Sequence, residues 1–210
     1  MNLWKQHLGH VPDSVFEPPD LETLVLADND LTEVPERIGE LTKLRMLDLG
    51  HNALTSVPAS IGDIAGLTDF LYLHDNRLSS LPDALGRLTR LRYLNIGQNQ
   101  FAELPRCVCA MTSLVELKLE DNQLASLPDC IAQLGQLREL HLRNNRLRVL
   151  PEAMPPSLRQ LDLRGNPIVA LPRTLLELPR LEKLDLRWVT TLESFDVIDA
   201  LEARGCIVYR

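Results

Sequence analysis

Leucine recurs in this chain at a nearly constant interval, and that interval restricts the possible folds more than any other feature. Rows beginning at Leu21, Leu44, Leu67, Leu91, Leu114, Leu137, Leu158 and Leu181 stack like residues above one another, at spacings of 23, 23, 24, 23, 23, 21 and 23. The rows stay close to LxxLxLxxNxLxxLPxxIxxLxx, as in LETLVLADNDLTEVPERIGELTK. A degenerate earlier row, NLWKQHLGHVPDSVFEPPD, sets Leu3, Leu8, Val11, Pro12 and Val15 on the same positions. Repetition at this period is the mark of a solenoid, in which each row contacts only its neighbours. The chain is 45% hydrophobic but only 4% aromatic, so an aliphatic repeat accounts for its apolar content.

Each column of the repeat has a physical role. In Leu24-Val25-Leu26 the side chains alternate, which sends both leucines inward and the residue between them to an open face. The column Asn29, Asn52, Asn76, Asn99, Asn122, Asn145 and Asn166 supplies an amide that can both donate to and accept from the backbone of a tight bend. Prolines at 12, 35, 58, 82, 105, 128, 151 and 172 fix φ where the chain leaves for the opposite side, and bring no N–H that a ladder would leave stranded. A single row buries too little to offset the entropy of ordering it, so rows must stack and the ends need lids. Val189 breaks the asparagine column, and FDVIDALEARG then reads as a helix with Val197, Ile198 and Leu201 on its apolar face, stopped at Gly205 before the strand CIVYR. Trp4 and the weak first row are expected to close the other end. The organisation expected is one solenoid over 1–210: a capping row over 1–20, eight repeats over 21–186 and a cap over 187–210.

Rows such as VPERIGELTKL, VPASIGDIAGL and LPDALGRLTRL resemble the Ras-group and plant-type intracellular leucine-rich repeat proteins and their bacterial relatives over essentially the whole chain, and GCIVY is similar to the final strand of bacterial members. The resemblance implies an α/β fold: a curved, right-handed leucine-rich repeat solenoid with a parallel β-sheet on its concave face, short 3₁₀ or α turns on the convex side, and a helix-strand cap. It also implies a non-enzymatic module that binds a partner protein on the concave face. Some bacterial relatives are effectors delivered into host cells, and others carry a kinase or ubiquitin-ligase domain after the repeats, for which residues 1–210 leave no room. An effector acting on host proteins and a self-assembling scaffold are the alternatives.

Two groups of side chains stand out on the expected open face. Row 67 carries one residue too many before LTDFLYLHDN reaches its strand, so a bulge should precede Leu71 and push Phe70 outward to join Met46, Tyr72 and Tyr93. Exposed aromatics beside an adaptable methionine are what binding surfaces use. The competing reading turns Phe70 inward to fill space left by a shifted Leu67. Gly50 and Gly97 should leave a depression beside the cluster. The second group is Arg143, Arg164 and Arg187, with Arg146 nearby, which either docks an acidic segment or is neutralised by Asp162 and Asp185. Together with His74, Asn95, Lys118 and His141, these residues form the candidate partner-binding set.

Other chemistries are weakly represented. The formal charge of −7 lies entirely within residues 1–66, while 137–180 are locally basic; such an asymmetry orients a partner and disfavours nucleic acid. The acidic first row reads as a solvated end. No phosphate loop, GxSxG or HExxH occurs. His51, His74, Asp48 and Asp75 lie in adjoining rows but read as solvated loop residues rather than metal ligands, so no cofactor is expected. Cys107 and Cys130 hold the same place in successive rows, with Cys109 two residues away; reduced, partly buried thiols are favoured over zinc ligands, with Cys206 in the core. Enzymatic action through Cys107 or Cys109 is the reading that would make the chain a modifier. No apolar run suits a membrane span, and MNLWKQHLGH does not read as a secretory signal. A chain beginning near Met1, cytoplasmic or delivered into a host cell, and monomeric with weak self-association through its end rows, is expected.

Overall fold

The computed structural model describes residues 1–210. Nine three-residue strands, β1 Thr23–Val25, β2 Met46–Asp48, β3 Phe70–Tyr72, β4 Tyr93–Asn95, β5 Glu116–Lys118, β6 Glu139–His141, β7 Gln160–Asp162, β8 Lys183–Asp185 and β9 Ile207–Tyr209, pair in chain order. All pairings are parallel and the sheet is curved and unclosed. The register sets Leu24, Leu47, Leu71, Leu94, Leu117, Leu140, Leu161, Leu184 and Val208 side by side. All eight leucines are buried, and the residues on either side of them face the open wall of the sheet. The apolar core behind the sheet runs without interruption from Val11 to Cys206.

The asparagine column ties each row to the preceding one. Asn122 Nδ2 donates to Leu119 O at 3.2 Å in its own row and to Ile96 O at 3.0 Å in the row before, while its Oδ1 accepts the Phe101 N–H at 3.0 Å. The same bonds recur at Asn76, Asn99, Asn145 and Asn166. The residue just before each asparagine adopts a left-handed conformation: Asp28, His51, Asp75, Gln98, Asp121, Asn144 and Gly165 have φ between 51° and 66°, as does Trp188 before Val189, which stands in the asparagine's place. Short polar residues and glycine tolerate that region best, which explains most of the column. Prolines 35, 58, 82, 128 and 172 then lead into 3₁₀ turns at Glu36–Glu40, Ala59–Asp63, Asp83–Arg87, Asp129–Gln133 and Arg173–Glu177, and Pro105 leads into an α turn, α1 Arg106–Cys109.

The extra residue in row 67 is absorbed just before β3, as its spacing predicts. Val115 and Glu116 N–H share the Arg92 carbonyl, at 2.8 and 3.2 Å, but Arg92 and Tyr93 reach back to two carbonyls, Thr68 at 2.9 Å and Asp69 at 3.1 Å. Two residues therefore oppose one, and the register of Leu71 with Leu94 is preserved. Leu67 keeps its buried place and Phe70 is 41% exposed, which overturns the inward alternative for Phe70.

The C-terminal lid is α2, Asp196–Ala203, which buries Ile198 and Leu201 and half-buries Val197. Gly205, at φ +93°, ends it: its N–H reaches Glu202 O at 2.9 Å and the Cys206 N–H reaches Leu201 O at 3.0 Å. At the other end Met1, Leu3 and Gly9 continue the backbone ladder onto Val25 and Asn29, and Val15 is fully buried. Trp4 takes no part in this closure. It is 56% exposed, because alternation with the inward Leu3 turns it to solvent.

Candidate functional site

The bulge and the register converge on β3 and β4. Phe70 and Tyr72 alternate with buried Leu71 on the open face, and Tyr93 lies beside Phe70 across the ladder. Ring centroids stand 5.9 Å apart for Phe70 and Tyr72, 5.4 Å for Phe70 and Tyr93 and 5.0 Å for Tyr72 and Tyr93, a three-ring contact within the usual range for aromatic pairs. Half-buried Met46 holds the register position beside Phe70 on β2. A recess of about 400 Å³ opens next to the rings, lined by Phe70, Tyr93, Arg45, Arg92, Asp69 and Glu116 among others. Burial raises the Tyr72 and Tyr93 phenols above their ordinary value, the nearby Asp48 adding to the effect at Tyr72 and Lys118 opposing it at Tyr93. Both rings therefore present neutral hydroxyls at physiological pH.

The depression expected over Gly50 and Gly97 is filled. A Cβ on Gly50 would stand 2.4 Å from the His74 ring, and one on Gly97 would stand 3.1 Å from the Glu120 side chain. His74 thus lies over the glycine of the previous row, edge-on to Tyr72 at 6.0 Å and to His51 at 4.7 Å. Burial and the neighbouring His51 lower its pKa. His51 Nδ1 meets Asp75 Oδ2 at 2.6 Å, and its Nε2 faces His74 Nε2 at 3.2 Å. Asn95 is 8% exposed and its Oδ1 accepts the Gly97 N–H, so most of its polarity is spent inside the fold.

Beyond β4 the open face becomes charged. Lys118 lies 5.8 Å from the Tyr93 ring centroid and 3.5 Å from Glu116. Burial alone would lower its pKa, but Tyr93, Glu116 and Glu120 raise it instead. His141 Nε2 stands 3.6 Å from Glu116 and 3.5 Å from Glu139. The arginines are individually paired: Arg143 to Asp121 at 2.8 Å, Arg164 to Asp162 at 2.6 Å, and Arg187 to Asp185 at 2.8 Å. Asp185 is nearly sealed from water; burial would raise its pKa, yet its hydrogen bonds to Arg187 prevail and hold it low. The three arginines therefore form a neutralised network rather than a bare cationic ladder, with Arg146 exposed alongside.

The cysteine reading is corrected. Cys109 and Cys130 are joined in a disulfide with Cα atoms 5.7 Å apart, whereas Cys107 and Cys206 are free and buried. Comparison of like positions points to Cys107 and Cys130, but rows touch with an offset: the residue four after each proline meets the residue two after the next proline. Glycines mark this contact, since a Cβ on Gly39 would stand 2.7 Å from Ser60 Cβ and one on Gly62 would stand 2.2 Å from Ala84 O. Cys109 occupies the glycine position and Cys130 the position opposite. Burial pushes the remaining Cys107 thiol up to about 11, so it carries almost no thiolate at neutral pH. Neither Cys107 nor Cys109, the two thiols expected to carry such chemistry, is therefore an accessible thiolate.

The family model described as "Leucine rich repeat" matches residues 1–54, 69–124 and 135–188. A comparison with curated proteins gave no significant match. Among solved structures, the chain is similar to a leucine-rich repeat protein of Leptospira interrogans at 31% identity and a TM-score of 0.86, over 92% of this chain and 50% of that one. It spans about half the length of that relative. The leucine-rich repeat domain of the type III effector XopL is 28% identical at a TM-score of 0.81, over 96% of this chain and 72% of that one. The plant peptide hormone receptor RGFR1, in complex with RGF2, is 32% identical at a TM-score of 0.72, over 85% of this chain and 30% of the receptor. Matched along most of its length by the family model, and built on the same leucine, asparagine and proline columns throughout, the chain belongs to the leucine-rich repeat family.

Proposed function

We propose that this chain is a non-enzymatic protein-binding module whose partner docks on the open face of the sheet, with Phe70, Tyr72 and Tyr93 as the anchor. The observation that carries this reading is the three-ring contact, held outward by the bulge, with Phe70 41% exposed beside a recess of about 400 Å³. Met46, His74 and Lys118 border the rings, while His141, Arg143, Arg164 and Arg187 extend the face toward the C-terminal end as a polar surface whose arginines are already paired. Asn95 supports the strand from within. Alanine at both Tyr72 and Tyr93 should weaken partner binding by more than about 2 kcal/mol. A partner that binds the double variant as tightly as the parent would remove this site. The likeness to a plant peptide hormone receptor described in complex with RGF2 supports a role in binding a protein or peptide partner.

A second reading, residence in an oxidising compartment such as a periplasm or the cell exterior, is favoured over a cytoplasmic place, a host cytosol included, by one observation. The Cys109–Cys130 bridge is of a kind that persists where thiols are not kept reduced. Protein recovered from its native location should then carry the bridge; quantitative alkylation of both thiols in cells that are lysed under trapping conditions would contradict this reading.

A further inference from the structure

We propose a zinc-class metal site on the open face, formed by Glu116, Glu139 and His141, which adjoins the aromatic anchor but uses none of its three rings. Glu116 and Glu139 are register partners on β5 and β6, and His141 follows Glu139 on the same face. One ligand atom from each of the three lies within 4.8 Å of the others. The His141 Nε2 is sealed from water and has no hydrogen-bond partner. At 3.6 and 3.5 Å it falls short of both carboxylates as a donor. Those separations instead match the edge of a tetrahedron, roughly 3.4 Å for ligand bonds of about 2.1 Å. An imidazole with two carboxylates suits zinc and its neighbours over calcium or magnesium, which prefer all-oxygen shells. Three protein ligands leave a fourth position open on the solvent side of the sheet, where water or a partner's side chain could complete the shell.

Lys118 distinguishes this site from a group of mutually neutralised charges. Its ammonium lies 3.5 Å from Glu116, so it opposes a second cation there while contributing no ligand. Calorimetric titration of the full chain with zinc ion, in competition with a chelator, should give one site per chain. His141→Ala and Glu139→Gln should each weaken it more than about tenfold. Lys118→Met should tighten it roughly tenfold by removing the opposing charge, a gain that misfolding cannot mimic. His51→Ala should leave it unchanged, although His51 and His74 also face one another at 3.2 Å. Absence of saturable binding overturns the proposal, as does binding lost in His51→Ala and retained in His141→Ala, or unaltered affinity in Lys118→Met. Tyr72 and Tyr93 supply no ligand, so loss of partner binding in their variants leaves this test untouched.

Discussion

At Asn122 one side chain replaces backbone partners in two rows at once, accepting from Phe101 N–H and donating to Ile96 and Leu119 carbonyls. Asn122→Ala leaves the buried Phe101 N–H without a partner, and should cost about 2 to 3 kcal/mol in urea unfolding, against little change for Gln123→Ala in the same row. Gly62 shows the opposite constraint. A methyl there would stand 2.2 Å from the Ala84 carbonyl oxygen, so Gly62→Ala must push two rows apart. A drop in melting temperature well beyond that of Gly135→Ala, whose Cβ would meet nothing nearer than 4.0 Å, is the expected outcome. His74 titrates below its ordinary value of 6.5, through burial and then His51. Its folded pKa is depressed, so its contribution to stability is present above pH 6.5 and is lost as the pH falls through the folded value. An NMR titration should place the His74 midpoint below 6.5; a midpoint at or above that value would contradict the packing over Gly50. The asparagine and proline columns are readable because each acts at one fixed place in every row. The His74 placement is not readable in the same way, because the space above Gly50 belongs to the next row's side chain.

At the scale of elements, β3 is the strand that departs from the rest. The extra residue was legible as a break in spacing, and so was its consequence, since any inserted residue before a buried Leu71 must be absorbed outside the strand. The pairing of the arginines was less legible. Asp162 and Asp185 are visibly two residues before Arg164 and Arg187, but Asp121 reaches Arg143 from the preceding row, a contact fixed by strand register and by the left-handed turn at Asp121. Asp185 also touches Arg164 at 3.6 Å, so one buried carboxylate serves two guanidinium groups. Asp185→Ala leaves Arg187 without its carboxylate, while Arg164 keeps Asp162, and should loosen β8, seen as faster hydrogen exchange in β8 and β9. Unchanged protection there would mean the network is only a surface arrangement.

Across the whole molecule, what holds the rows in line is the single core, and the disulfide adds a covalent tie between the rows beginning at Leu91 and Leu114. The bridge closes a span of 21 residues, worth on the order of 3 kcal/mol against the unfolded chain. Denatured, unreduced protein should show two reactive thiols, from Cys107 and Cys206, and reduction should lower the melting temperature. Four reactive thiols in protein kept from reductant would contradict the bridge. The architecture was readable nearly end to end from the period alone, whereas the disulfide was not, because reading rows in columns compares equivalent positions while the rows actually touch four residues after one proline against two after the next. Trp4 was misassigned for a related reason: a terminal aromatic suggests a lid, but alternation on the first extended segment gives the inward place to Leu3.

Docking of a partner on the aromatic wall of β3 and β4 can be read from the affinity of a captured partner for three purified proteins: the parent chain, the Tyr72→Ala/Tyr93→Ala double variant, and Arg173→Ala on the opposite, 3₁₀-turn side. The double variant should lose at least about thirtyfold in affinity, equivalent to about 2 kcal/mol, and Arg173→Ala should lose none. Equal affinity for the parent and the double variant, or a loss confined to Arg173→Ala, would place recognition elsewhere on the molecule.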